Sequence, residues 1–240
     1  DDVDAMFAYL KMEVGDCVSE ATLREFCAQS GPNLAWLQSH GVPFEASLCP
    51  VKTSYPTDDY YLYYSGNEGM LPFREHAKSA PRGHRAKGRS LPGRNLFQPL
   101  ADSAERAGVE VLRHCRATGL IRENGRVVGV EALLLEGSDA AWHSRLERWA
   151  VKLVNYVPQL ARSMRRRAAR MEKARGRRVR ILAEKGVVLT TGGFIYNREM
   201  VKEHAPGYRR GMPLGTSGCG GDGHRMGADA GGQLQRMDRV

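Results

Sequence analysis

The run Gly186–Thr191 (GVVLTT) constrains this chain most. It is short, apolar and β-branched, and Gly192-Gly193 follow it at once. That pattern predicts a buried strand that ends in a tight turn. Its neighbours suit an α/β fold. Leu96 to Ala107 reads as a helix with Leu96, Phe97, Leu100 and Ala104 on one face, closed by Gly108. Val109 to Leu112 reads as a short strand. Ala117 to Arg122 and Val127 to Leu134 flank Asn124-Gly125, the dipeptide of a two-residue hairpin turn. Val179 to Leu182 is a further strand. Arg198 to His204 is a helix ended by Pro206, and Gly223 to Gly231 is another.

The first part of the chain is different. Asp4 to Val14 and Ser19 to Gln29 read as helices, the second with Ser19 as its cap. Gly31-Pro32 is expected to break the pattern before Asn33 to His40 resumes it. Residues 50–95 are rich in loops. They hold Tyr60, Tyr61, Tyr63 and Tyr64, and then Pro81-Arg82-Gly83-His84-Arg85. Four tyrosines in five positions argue for packing and against disorder.

The formal net charge is +9, which invites a nucleic-acid reading. The location of the charge argues against it. Residues 143–180 hold thirteen of the 36 Lys and Arg but two of the 27 acids, so the rest of the chain is close to neutral. No run of about 18 apolar residues exists to cross a bilayer. The five cysteines form no CxxC pair and are widely spaced, so reduced thiols in the cytoplasm are expected. The histidines have no HxH or HExxH spacing, and no metal site is expected. GxSxG and Walker A signatures are absent as well.

Two glycine-rich stretches could bring backbone close to a ligand. Thr190-Thr191-Gly192-Gly193 ends the buried strand, where free N–H groups suit an anionic group. Gly218-Cys219-Gly220-Gly221-Asp222-Gly223 matches GxGxxG formally, but the residues before it read as a loop where the dinucleotide fingerprint needs a strand. Gly-Asp-Gly at a helix start can still aim N–H groups at a ligand.

The ordered set is more specific than any member. It runs Gly108-Val-Glu-Val-Leu112, Gly125-Arg-Val-Val-Gly-Val130, Gly186-Val-Val-Leu-Thr-Thr-Gly-Gly-Phe194, Gly221-Asp-Gly223, Ala230-Gly-Gly-Gln-Leu234 and Met237-Asp238. This order resembles the superfamily of FAD-dependent fumarate reductases and 3-ketosteroid dehydrogenases, over about residues 1–138 and 179–240. Tyr196-Asn197-Arg-Glu-Met200 and His204-Ala-Pro206 resemble the ketosteroid branch. The resemblance implies part of an FAD-binding domain of the glutathione-reductase-like type, with residues 1–138 and 179–240 in that domain and 139–178 as a helical basic insertion. It also implies an internal piece of a longer flavoprotein, in keeping with an opening on Asp1-Asp2 and no initiator Met.

The same resemblance implies FAD contacts at Ala117, at Thr191, Gly192 and Gly193, and at Gly221, Asp222 and Gly223. Asp59-Tyr60-Tyr61 matches the Asp-Tyr-Tyr motif of the ketosteroid dehydrogenases, which makes Tyr60 the candidate catalytic phenol. His84 sits where fumarate-reductase-like members carry a His-Arg pair. The implied reaction is dehydrogenation of a hydrophobic ketone, a 3-ketosteroid, by α-proton abstraction and hydride transfer to FAD. Reduction of an activated alkene is the alternative within enzymology. A docking module for membrane or protein, without catalysis, is the alternative outside it.

The basic stretch has its own pattern. Trp142, Leu146, Trp149, Leu153, Tyr156, Val157, Leu160 and Met164 recur at helical spacing, with Arg145, Arg148, Lys152 and Arg162 on the other side. One amphipathic helix kinked at Pro158 is expected. Its apolar stripe has three uses: packing within the chain or on a subunit, lying in a membrane interface, or binding nucleic acid. The near-neutral remainder disfavours the last, so residues 142–178 are expected to make a membrane or subunit contact and no nucleic acid is expected.

Overall fold

The computed structural model describes residues 2–154, 156–211, 213, 216 and 218–238. The chain divides into two compact units, Asp1–Val111 and Leu112–Val240. The loop expected over 212–217 lies for the most part outside the described residues.

In the first unit, helix α1 (Val3–Val14) starts where the Asp2 carboxylate accepts from the Ala5 N–H. Helix α2 (Glu20–Ser39) starts at Ser19, whose hydroxyl accepts from the Thr22 N–H. The break expected at Gly31-Pro32 does not occur, and α2 runs through Pro32 without interruption. Proline costs a helix one N–H bond and a clash with the preceding turn. Here Ser30 Oγ donates to the Cys27 carbonyl at 2.8 Å within that turn, and the space beside Gly31 is open. Strands β1 (Leu62–Tyr63) and β2 (Gly83–His84) form a small antiparallel pair with Leu62 opposite His84, and helix α3 (Phe73–His76) lies between them in sequence. Helix α4 (Gly93–Arg106) ends in a Schellman motif. Gly108 N–H donates to Glu105 O and Val109 N–H to Ala104 O, with Gly108 at φ +82°.

The strand expected at Val109–Leu112 is not formed, and Val109, Val111 and Leu112 are exposed. Among the described residues no strand edge pairs with these four, and an unpaired stretch that short has nothing to hold it as a strand.

The second unit is built on a meander. Strands β3 (Cys115–Glu123), β4 (Arg126–Leu134) and β5 (Arg177–Leu182) pair antiparallel in the order β3-β4-β5. Asn124 and Gly125 both take positive φ, at +51° and +78°, as a type I′ turn requires. Between β4 and β5 the chain makes two helices, α5 (Gly137–Leu153) and α6 (Pro158–Arg175). The expectation of one kinked helix is corrected. Pro158 stands at the first turn of α6, where its missing N–H costs nothing, so the chain breaks there and turns back. Leu146, Ala168 and Met171 form the buried seam of this hairpin, with Met164 against it. Ala150 and Ala161 are buried too, and such small side chains let helices approach closely.

The strand expected at Gly186–Thr191 is also corrected. No strand forms there, and Val188 is 85% exposed. No described strand lies alongside to complete its hydrogen bonds. The segment lies instead along helix α8 (Asp222–Asp229). Leu189 reaches Gly227 and Thr191 packs on Gly223. Two residues of extended chain cover about 6.6 Å and four residues of helix about 6 Å, so contacts two apart on one element match contacts four apart on the other. Helix α7 (Arg198–His204) is capped by the Asn197 side chain, which accepts from Met200 N–H. Phe194, Met200, Val201 and Ala205 make the core beneath it.

Candidate cofactor cradle

Three of the residues expected to touch a cofactor line one cavity. Ala117 on β3, Thr191 and Asp222 face a space of about 450 Å³ in the second unit. Gly218 and Thr216 complete the same wall. The remaining expected contacts are adjacent in space. Gly221 N–H donates to Gly193 O at 3.1 Å, so the Gly-Asp-Gly loop is tied to the Thr-Gly-Gly turn. Gly192 and Gly221 both have positive φ, at +75° and +77°. A side chain on Gly192 would meet Cys219 Sγ at 3.0 Å, whereas the space beside Gly193 and Gly220 is open. The glycines let two loops close on each other here and leave backbone within reach of a ligand.

Sequence reasoning missed the charged residues of this cavity other than Asp222. Arg116 donates to Glu172 Oε2 at 2.9 Å and to Asp222 Oδ2 at 3.0 Å. His143 Nε2 pairs with Glu172 Oε1 at 2.9 Å, and Arg225 pairs with Asp222. The chain of contacts runs from α5 through α6 and β3 to the start of α8. Arg116 is held fully charged by its carboxylate partners despite its partial burial. A signal was present in the sequence. His143 and Glu147 are four apart on α5, and Arg165, Ala169 and Glu172 are spaced four and three on α6, so each set shares one helix face. Asp222 is therefore an anchor as well as a wall residue.

The candidate catalytic residues belong to the other unit. Tyr60 lies just before β1, half-buried, and its hydroxyl makes no hydrogen bond among the described residues. His84 stands on β2 opposite Leu62, with its ring edge-on to Phe44 at 6.4 Å. Partial enclosure of that ring holds its pKa below the usual histidine value. Tyr63 packs on Gly83 and Tyr61 is buried. Arg85 fixes the surrounding loop. It donates to Pro56 O at 2.8 Å, to Asp58 Oδ1 at 3.0 Å and to Gly88 O at 2.9 Å. That guanidinium and the Ser90 N–H hold the Asp58 carboxyl below the usual carboxylate range. No group of three or more His, Cys, Asp or Glu among the described residues is placed to hold a metal.

The cavity suits part of a dinucleotide. It is concave, mixes cations with carboxylates, and brings two glycine loops to its edge. Two nitrogens of its wall, His143 Nδ1 and Arg165 Nε, are buried with no hydrogen-bond partner. Ala117, Thr191 and Gly218 offer such a ligand backbone and small side chains.

Comparison with known proteins agrees. The chain is 34% identical over 252 residues to a 3-oxo-5-alpha-steroid 4-dehydrogenase of Comamonas testosteroni, covering 99% of this chain and 46% of that protein. The solved 3-ketosteroid-Δ4-(5α)-dehydrogenase of Rhodococcus jostii RHA1, in complex with 4-androstene-3,17-dione, superposes with a TM-score of 0.76 at 28% identity. That match covers 99% of this chain and 42% of the other. A flavocytochrome c3 fumarate reductase in an open conformation shares the fold, with a TM-score of 0.62 at 19% identity, over 96% of this chain and 29% of that one. The chain thus spans less than half the length of these relatives. A family model described as FAD binding domain matches residues 1–240. The resemblance read from the ordered glycine motifs holds, and the chain belongs to the FAD binding domain family.

Proposed function

We propose that this chain is the FAD-holding part of an oxidoreductase that dehydrogenates a hydrophobic 3-ketosteroid. The observation that carries the reading is the convergence of Ala117, Thr191 and Asp222 on one cavity, in a chain similar to two steroid dehydrogenases. The scaffold is of the glutathione-reductase-like type in this reading, and the helical hairpin is an insertion into it. FAD, when bound, supplies the hydride acceptor. The Tyr60 hydroxyl, with no partner among the described residues, donates to the ketone oxygen or, ionised to the phenolate, takes the α-proton. His84 is neutral near pH 7 and accepts or relays a proton there.

The experiment is anaerobic mixing of the flavin-loaded full-length protein with a 3-ketosteroid. Bleaching of the flavin band supports the proposal. Reoxidation of reduced flavin by an activated alkene, with no response to steroid, selects alkene reduction instead. Absence of flavin, with none taken up on addition, ends both readings and leaves a docking module.

A second reading concerns the tip of the helical hairpin. Trp149, Val151, Tyr156, Val157 and Leu160 are exposed there, beside exposed Arg145, Arg148, Lys152 and Arg162. No described helix is long and apolar enough to cross a membrane. An apolar tip ringed by cations complements an anionic lipid surface, and we infer that this tip rests on one.

A further inference from the structure

Two buried nitrogens on the cavity wall lack partners, and both belong to the helical hairpin: Arg165 Nε on α6 and His143 Nδ1 on α5. Buried polar atoms in folded proteins are nearly always paired, because an unmet donor or acceptor loses its water and gains nothing. With Nε2 donating to Glu172, a neutral His143 ring presents Nδ1 as an acceptor, and Arg165 Nε is the unmet donor. Arg165 is also fixed in place. Its guanidinium lies over the Tyr196 ring at 5.1 Å, and Tyr196 is anchored by its N–H to Cys219 O and by its hydroxyl to Pro213 O. The other cation of the wall, Arg116, is already engaged by Glu172 and Asp222. Arg165 has no ion pair among the described residues. The wall also carries Glu147, Glu172 and Asp222. A simple anion would meet those carboxylates. A nucleotide would not suffer by them, because its ribose hydroxyls and exocyclic amine are donors that carboxylates accept, while its phosphates need a cation.

We propose that Arg165 is the phosphate-binding residue of this cavity, with His143 Nδ1 as a further contact, and that the helical hairpin forms one wall of the site for the ADP half of FAD. The inference rests on the FAD reading above and adds residues to it. Arg165 suits the role because a planar guanidinium, stacked on an aromatic ring, presents its N–H groups to phosphate oxygens in a fixed fork. The rest of the basic stretch does not share that role. Arg166 and Arg167, its neighbours in sequence, are exposed.

The test uses the full-length protein stripped of flavin, titrated with ADP and with adenosine in a calorimeter. Wild type is expected to bind ADP at least roughly tenfold more tightly than adenosine, the scale of one charge-assisted bidentate contact. In Arg165→Gln that preference should vanish while adenosine affinity stays. Arg165→Lys should retain part of it and covers the event that the glutamine variant does not fold. Arg166→Gln should keep the wild-type ratio. A wild-type ratio in either Arg165 variant, or no preference for ADP in wild type, overturns the proposal. Flavin uptake is measured separately. If the protein takes up no FAD but prefers ADP through Arg165, the phosphate site stands and the FAD reading falls. If it takes up FAD and Arg165→Gln leaves the ratio unchanged, the inference falls alone.

Discussion

Arg116 on β3 donates to Glu172 on α6 at 2.9 Å, across 56 residues of sequence. The same guanidinium holds Asp222 at the start of α8, so one side chain ties the meander to the helical hairpin and to the Gly-Asp-Gly loop. Replacing Arg116 by Met removes the cation that Glu172 and Asp222 share and leaves Glu172 with His143 and Asp222 with Arg225. The Arg116 side chain is 39% exposed, which softens the cost. A loss of about 1–2 kcal/mol in urea unfolding is expected. Arg116→Met combined with Glu172→Gln should cost less than the two single changes added together, because they share one network. Additive losses would show that the contacts act independently.

The close approach of Thr191 to Gly223 makes a sharper prediction. A methyl group at position 223 would fall on the Thr191 side chain. Gly223→Ala should therefore lower both stability and flavin content, and Gly223→Ala with Thr191→Gly should recover much of each. Gly221 tests backbone and packing together, because a Cβ there would also fall on Met200 Sδ and crowd Phe194. Its φ of +77° is strained for any side chain, and Gly221→Ala should cost about 1–2 kcal/mol. Unchanged thermal unfolding in both alanine variants would contradict the packing described here.

Tyr9 should titrate apart from the other tyrosines. Burial, first, and the neighbouring carboxylates Glu13 and Glu68 push its phenol up to about 12 from 10.0. The folded state keeps this proton longer than the unfolded one. Its contribution to stability is therefore complete below pH 10 and lost as pH rises towards 12. Ultraviolet titration should show one late phenol that is missing in Tyr9→Phe. A Tyr9→Phe curve that overlays wild type would refute the assignment.

The hairpin tip predicts salt-sensitive lipid binding. Full-length protein should float with vesicles rich in anionic lipid and stay behind with neutral ones. Trp149→Glu with Tyr156→Glu should abolish flotation and leave flavin content unchanged. Equal flotation of that double variant would end the lipid reading, and a change of oligomeric state in its place would assign the tip to a subunit contact.

The features legible in the sequence were those whose cause is local. Gly108 ended α4 because a left-handed residue closes a Schellman motif, and Asn124-Gly125 made the hairpin because both residues accept positive φ. Ser19 capped its helix for an equally local reason. Where a distant partner decides, the reading failed. Gly186–Thr191 has the composition of a strand but no described strand beside it, and it lies along α8. Pro158 separates two helices because α6 can fold back on Leu146, a contact that spacing alone does not reveal. The cradle followed the same division. The glycines of residues 191–193 and 221–223 were readable as motifs, whereas Arg116, His143, Arg165 and Glu172 converge through the tertiary fold.

FAD held in this cradle gives the full-length protein a flavin band in the visible spectrum. Wild type should purify with a flavin absorption band, or acquire one on addition of FAD, and Gly223→Ala should lose it while remaining folded. A wild-type protein that shows no band before or after FAD is added would mean that the cradle does not hold FAD.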